Sequence, residues 1–142
     1  MPTSFQIFSD ENIALFRMDG NISVRDGRQL FLDYTSHPDF DPTHRMFTDA
    51  TGVTKIDASF ADIIKALMGM PKLLRQFEKG ASSVILVGNS TSFGVGRMLE
   101  SALSATSPIE MTITDDTEEA CALTKVTPEF LQQFRMTRQI AN

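Results

Sequence analysis

The stretch Ser83-Val84-Ile85-Leu86-Val87 constrains this chain more than any other. It is a short continuous apolar run rich in β-branched residues, the pattern of a strand covered on both faces. Helical patterns flank it. Upstream, Phe60, Ile63, Ile64, Leu67 and Met68 recur at helical spacing on one face. Downstream, Val95, Met98, Leu99, Ala102 and Leu103 repeat the stripe. A doubly covered strand between two helices implies right-handed crossovers and a mostly parallel sheet. With 142 residues, 42% of them hydrophobic, the chain is long enough for one sizeable core, and residues 1–142 read as one domain.

The remaining elements follow from the same periodicities. Residues 5–8 and 13–18 are strand-like, and Ser9-Asp10-Glu11-Asn12 between them is turn material, so they form a hairpin that ends at Asp19-Gly20. Ser23 is placed to cap a helix with Asp26 three residues on. Val24, Leu30, Phe31 and Tyr34 form its inward stripe, and Gly27 leaves a flat spot. That helix ends before Pro38. Residues 36–44 form a polar loop, and residues 45–48 a short strand stopped by Asp49. The segment 48–59 then connects strand to helix. Pro71 opens a second helical piece that carries Leu73, Leu74 and Phe77 to Gly80. Residues 109–114 alternate as a strand near an edge. Asp115 or Asp116 caps the next helix, and Thr127-Pro128 starts the last. The order is β-β-α-β-α-β-α-β-α-α.

Composition excludes several functions. A net charge of -5 argues against a nucleic-acid surface and against adhesion to anionic lipid, both of which need basic patches. Residues 1–25 lack the charged start and apolar block of a secretory signal, and no stretch is long and apolar enough to span a membrane. Cys121 is the only cysteine, so no internal disulfide forms. Its acidic neighbours raise a thiol pKa, which suits a buried small hydrophobe rather than a nucleophile. These features fit a cytoplasmic protein.

The chemistry-bearing residues are sparse. His37 and His44 share a loop with Asp39 and Asp41, but their spacing is looser than that of structural zinc sites, so a solvated loop is favoured. Ser90 and Ser92 lie in a strand-to-helix turn without a Gly-x-Ser-x-Gly elbow. Asn89, Ser90 and Ser92 stand where a helix start favours an anion, and where ordinary helix caps also need them. Asp49 and Asp57 bracket the 48–59 segment, without the aromatic cleft that a glycosidase pair requires. No catalytic residue, metal site or cofactor is assigned.

Residues 45–67, RMFTDATGVTKIDASFADIIKAL, are similar to the signature segment of STAS domains, the SpoIIAA-like group of anti-sigma-factor antagonists. Asp49, Val53, Ile56, Asp57 and Ser59 match in order and spacing. Ala58 stands where the family carries its phosphorylated serine, and Phe60 replaces a glycine. A divergent small STAS/SEC14-like branch resembles the chain further. The matches are at Asp19-Gly20, at His37 to Phe40, at Phe93, Gly94, Arg97 and Met98, and at Asp115 to Ala120. The resemblance covers about residues 5–126. It implies an α/β, SpoIIAA-like mixed sheet of four to five strands, mostly parallel, with an amino-terminal hairpin and helices mainly on one face. It also implies no catalytic residues, and its SEC14 side implies an apolar ligand pocket.

Two functions are therefore expected. The first is a non-enzymatic bacterial regulatory module that docks a protein partner around Asp57, Ser59 and Phe60, where Phe60 is either a core residue or an anchor. Ser59 is either a residual phosphoacceptor or the cap of the following helix. The alternative is a binder of small apolar ligands, its Phe- and Met-rich helices lining a cavity. A homodimer through residues 109–114 or an apolar face of residues 70–77 fits either expectation.

Overall fold

β1 (Thr3–Phe8) and β2 (Ile13–Ser23) form the expected antiparallel hairpin, in register from Phe8↔Ile13 to Thr3↔Met18. A 3-10 turn at Ser9–Glu11 closes it, and Asn12 takes the left-handed conformation that an asparagine tolerates. The computed structural model describes residues 2–69 and 71–141; the side chains of residues 60, 67, 71, 105, 106 and 137–141 lie outside the described set. β3 (Arg45–Asp57), β4 (Ser82–Val87) and β5 (Glu110–Thr114) continue the sheet in sequence order, each parallel to its neighbour. β5 is thus an edge strand, as its alternation predicts.

Two strands run further than their sequence predicts. β2 does not end at Asp19-Gly20, and β3 does not stop at Asp49. They continue side by side as a parallel ribbon, with Asp19 opposite Gly52 and Gly20 opposite Val53, as far as Ser23 opposite Asp57. Each strand carries a turn-like Asp and Gly, and these signals meet across the ladder. Gly20, at φ 71, sits between two register shifts in the β2–β3 pairing and absorbs the irregularity as a bulge. Gly52 leaves room for the Asp19 carboxylate, which a Cβ there would overlap. Most of the 48–59 connection is therefore strand, leaving Ala58 and Ser59 before the next helix.

Helices cover both faces of the sheet. α1 (Val24–Thr35), α2 (Phe60–Met68), α3 (Pro71–Leu74) and α4 (Ser90–Thr106) lie on one side; α5 (Thr117–Thr124) and α6 (Pro128–Ala141) lie on the other. Strand alternation sorts the side chains: Ile13, Leu15 and Phe47 meet α5 and α6, while Ala14, Phe16 and Met46 meet α1, α3 and α4. Ser23 caps α1 in a reciprocal box with Asp26, and Asp116 caps α5. The second helical piece is shorter than expected, ending at Leu74. Leu74 and Phe77 are buried, which removes them from any exposed apolar face. Met70, part of that expected face, lies outside the described residues.

The 36–44 loop is also less solvated than its composition implies. His44 is 2% exposed, and its Nδ1 lies 2.8 Å from the hydroxyl of the fully buried Tyr34. Phe5, Phe16 and Phe40 stand edge-on around the Tyr34 ring, a geometry aromatic quadrupoles favour. His37 stays exposed and packs on Phe5. Cys121 is buried, and burial pushes its thiol pKa up.

Candidate functional site

The face of the sheet under α1, α2 and α4 is incompletely filled. A cavity of about 290 Å³ lies between them. The local sequences explain it. On the α5/α6 side, β3 and β4 present Phe47, Val84 and Leu86. On the opposite side they present Met46, Thr48, Ala50, Ser83 and Ile85, which include smaller and polar groups. The roof is thinned in the same way. Gly27 sits inside α1 and lines the cavity, and a Cβ there would meet nothing within 4 Å. Ala66 of α2 and Ala58 add little volume. A helix-interior glycine costs about 1 kcal/mol relative to alanine, so this space is kept at the expense of helix stability.

The lining is almost wholly apolar. Among the described residues, Arg28 is its one charged residue and also its one exposed residue, so it marks the rim. Thr48, Ser83 and Ser92 supply hydroxyls within the wall. Sequence reading missed Gly27, Thr48 and Ser83. A usable signal existed: one face of two core strands carries Thr48, Ala50 and Ser83, where the other carries Phe47, Val84 and Leu86.

The two expected helix-start sites lie at the carboxyl end of the parallel strands, where open α/β sheets bind ligands. At α2, Ser59 is the cap. The Asp62 N–H donates to Ser59 Oγ and the Ser59 N–H donates to Asp62 Oδ2, each at 3.1 Å. The bonds from Ser59 hold the Asp62 carboxyl below its ordinary pKa. Asp57 and Ser59 are exposed; the Phe60 side chain lies outside the described residues. At α4, Asn89 Oδ1 accepts from the Ser92 N–H at 2.8 Å, and its Nδ2 donates to the Val53 carbonyl at 2.9 Å. The two polar ends of Asn89 thus tie the start of α4 to Val53 in the β3 ribbon, whereas the start of α2 follows the end of that ribbon at Asp57. Ser90 is exposed, whereas Ser92 is buried on the cavity wall.

A second polar group lies on the other face. Asp49, 2% exposed, receives the Arg135 Nε at 2.7 Å and the Thr51 hydroxyl at 2.6 Å. Burial alone would raise its pKa, but these bonds and the Arg135 charge hold it below the ordinary value. Arg17 stands opposite Asp49 in the ladder and pairs with Asp19 at 2.9 Å. The serine–histidine arrangement of a hydrolase is not formed. His44 precedes β3 at one end of the parallel pair and Ser90–Ser92 follow β4 at the other, about 16 Å away at strand rise. Among the described residues, no three His, Cys, Asp or Glu side chains are grouped to hold a metal ion, and no helix is long and apolar enough to cross a membrane.

No protein-family model matches this sequence, and no curated protein matches it. Solved structures match its fold. One is an uncharacterized protein of the DUF3478 family with a SpoIIAA-like fold, from Shewanella loihica PV-4. It has a TM-score of 0.51 and 16% identity over 84% of this chain and 90% of that one. Another is the anti-sigma factor antagonist SpoIIAA in its unphosphorylated form, with a TM-score of 0.51 and 11% identity over 84% of this chain and 94% of that one. The chain has a SpoIIAA-like, STAS-type fold.

Proposed function

We propose that this chain is a single-domain, non-enzymatic module that binds a small, largely apolar ligand between its sheet and helices α1, α2 and α4. The observation that carries this function is the 290 Å³ apolar cavity roofed by Gly27. An engineered apolar cavity of roughly 150 Å³ admits benzene, so this one suits a ligand about twice that size. Burial of apolar area drives binding in such a site, and Arg28, the one charged residue among the described lining, stands at the rim. The test is an NMR titration of the full chain with naphthalene, in the native protein and in Gly27→Phe. Shifts at cavity residues that vanish when the added ring fills the space support this function. A native protein in which naphthalene moves none of them overturns it.

A second function has support of its own. Asp57 and Ser59 are exposed beside the start of α2, and one fold neighbour is an anti-sigma factor antagonist. A protein partner docking at Asp57, Ser59 and Phe60 in the cytoplasm fits this surface. The absence of a hydroxyl at Ala58 argues that such docking runs without the family's serine switch. A photo-crosslinker at position 57 tests it: a single discrete adduct supports the docking surface, and none refutes it. The edge position of β5 suits a homodimer, which sedimentation velocity over a concentration series would detect.

A further inference from the structure

The cavity wall carries three hydroxyls that the fold does not use. Thr48 and Ser83 stand on the floor strands β3 and β4, and Ser92 on the first turn of α4. They are 7%, 7% and 5% exposed, and all three line the cavity. No hydrogen bond from or to their hydroxyls is found among the described residues, and none of the three oxygens is fully buried. Buried hydroxyls are ordinarily bonded, because an unmet donor in apolar surroundings is unfavourable. Three such hydroxyls, reachable from one space, are available to a ligand that brings its own acceptors.

The rest of the wall limits that ligand's chemistry. Among the described residues no acidic side chain lines the cavity, and the one cation, Arg28, is exposed at the rim. A charge carried inside would lack a partner, so the buried part is neutral. By comparison with a benzene-sized cavity of roughly 150 Å³, the volume suits about ten to twelve carbons. We propose that the cavity takes a neutral apolar molecule of that size bearing a carbonyl or hydroxyl oxygen, which accepts hydrogen bonds from Thr48, Ser83 or Ser92. This rests on the ligand-binding function proposed above and adds the ligand's chemical class.

The experiment compares two ten-carbon probes by NMR titration of the full chain: naphthalene, a hydrocarbon, and 1-tetralone, a ketone of similar shape. The ketone must shed water to enter, so without partners it binds more weakly. In the native protein 1-tetralone should bind at least as tightly as naphthalene. In the triple variant T48V/S83A/S92A the ratio of its Kd to that of naphthalene should rise at least tenfold. The single variants T48V, S83A and S92A bear the same expectation in part should the triple variant not fold. A ketone tenfold weaker than naphthalene in the native protein, or a ratio unmoved by the substitutions, overturns the proposal while leaving the apolar cavity a binding site. If neither probe shifts any cavity residue, the ligand-binding function itself fails.

Discussion

Arg135 of α6 reaches across to Asp49 of β3, 86 residues away in sequence, and closes an ion pair of 2.7 Å on a carboxylate that is 2% exposed. This bond pins the last helix to the centre of the sheet. Removing one partner of a buried pair is strongly destabilising, because the other is left unmatched. Arg135→Ala should therefore cost about 3 kcal/mol in urea unfolding. The Asp49 pKa is held below its ordinary 3.8, so the unfolded chain binds the proton more readily. The stability this provides is complete above that ordinary value and is lost as the pH falls through the folded value. Asp49→Asn should remove this part of the acid unfolding profile.

His44 gives a second, separate pH dependence. Burial lowers its pKa from the ordinary 6.5, outweighing the nearby Asp41 and Asp39. The folded state thus holds a neutral imidazole where the unfolded chain would take a proton. Stability should be full above pH 6.5 and fall as the pH drops from there toward the folded value. His44→Gln should flatten that window in unfolding midpoints measured between pH 7 and 5. Tyr34→Phe, which removes the bonded hydroxyl, should cost about 1 kcal/mol.

Ser59 tests the start of α2. Its hydroxyl caps the helix, and Asp62 returns the bond. Ser59→Ala should lose about 1 kcal/mol, while Ser59→Asp, another good cap, should stay within a few tenths of the native value. Equal losses for both would mean that the cap is not what holds this turn.

Gly27 sets stability against cavity volume. Its backbone is helical, and open space faces it. Gly27→Ala should stabilise the protein by about 1 kcal/mol in urea unfolding. Gly27→Phe should keep the fold and lose the naphthalene response. A native-like response in Gly27→Phe would put the probe elsewhere.

Gly52 tests the ribbon that continues β2 and β3. A side chain there would push the Asp19 carboxylate off its bond with Arg17, so Gly52→Ala should destabilise by up to about 1 kcal/mol. Amide exchange should rise first at Val53 and Ile56, where the ribbon leaves the main sheet.

Much of this fold was legible before any coordinates. The Ser83–Val87 run, the helical stripes on either side and the Ser23 and Asp116 caps placed the elements in their true order, because each is set by local periodicity or by a side chain bonding three residues away. The same local rules misplaced the ends of β2 and β3. Asp19-Gly20 and Asp49 with Gly52 are turn signals taken singly, yet paired across a ladder they form a bulge and a close approach. His44 looked solvated for the same reason, since Tyr34, whose hydroxyl meets it, lies on the preceding helix.

What the sequence determined by itself is therefore the alternation of strands and helices, the resemblance to STAS domains and the Ser59 cap. What only the tertiary structure decided is where matter is missing and where charge is matched. The cavity exists because Gly27, Thr48, Ala50 and Ser83, spread over three elements, converge on one space too poorly filled to close. The Asp49–Arg135 pair exists because α6 folds back across the sheet. Volume and ion pairing are properties of neighbours in space, and periodicity along a chain records only which way a side chain faces.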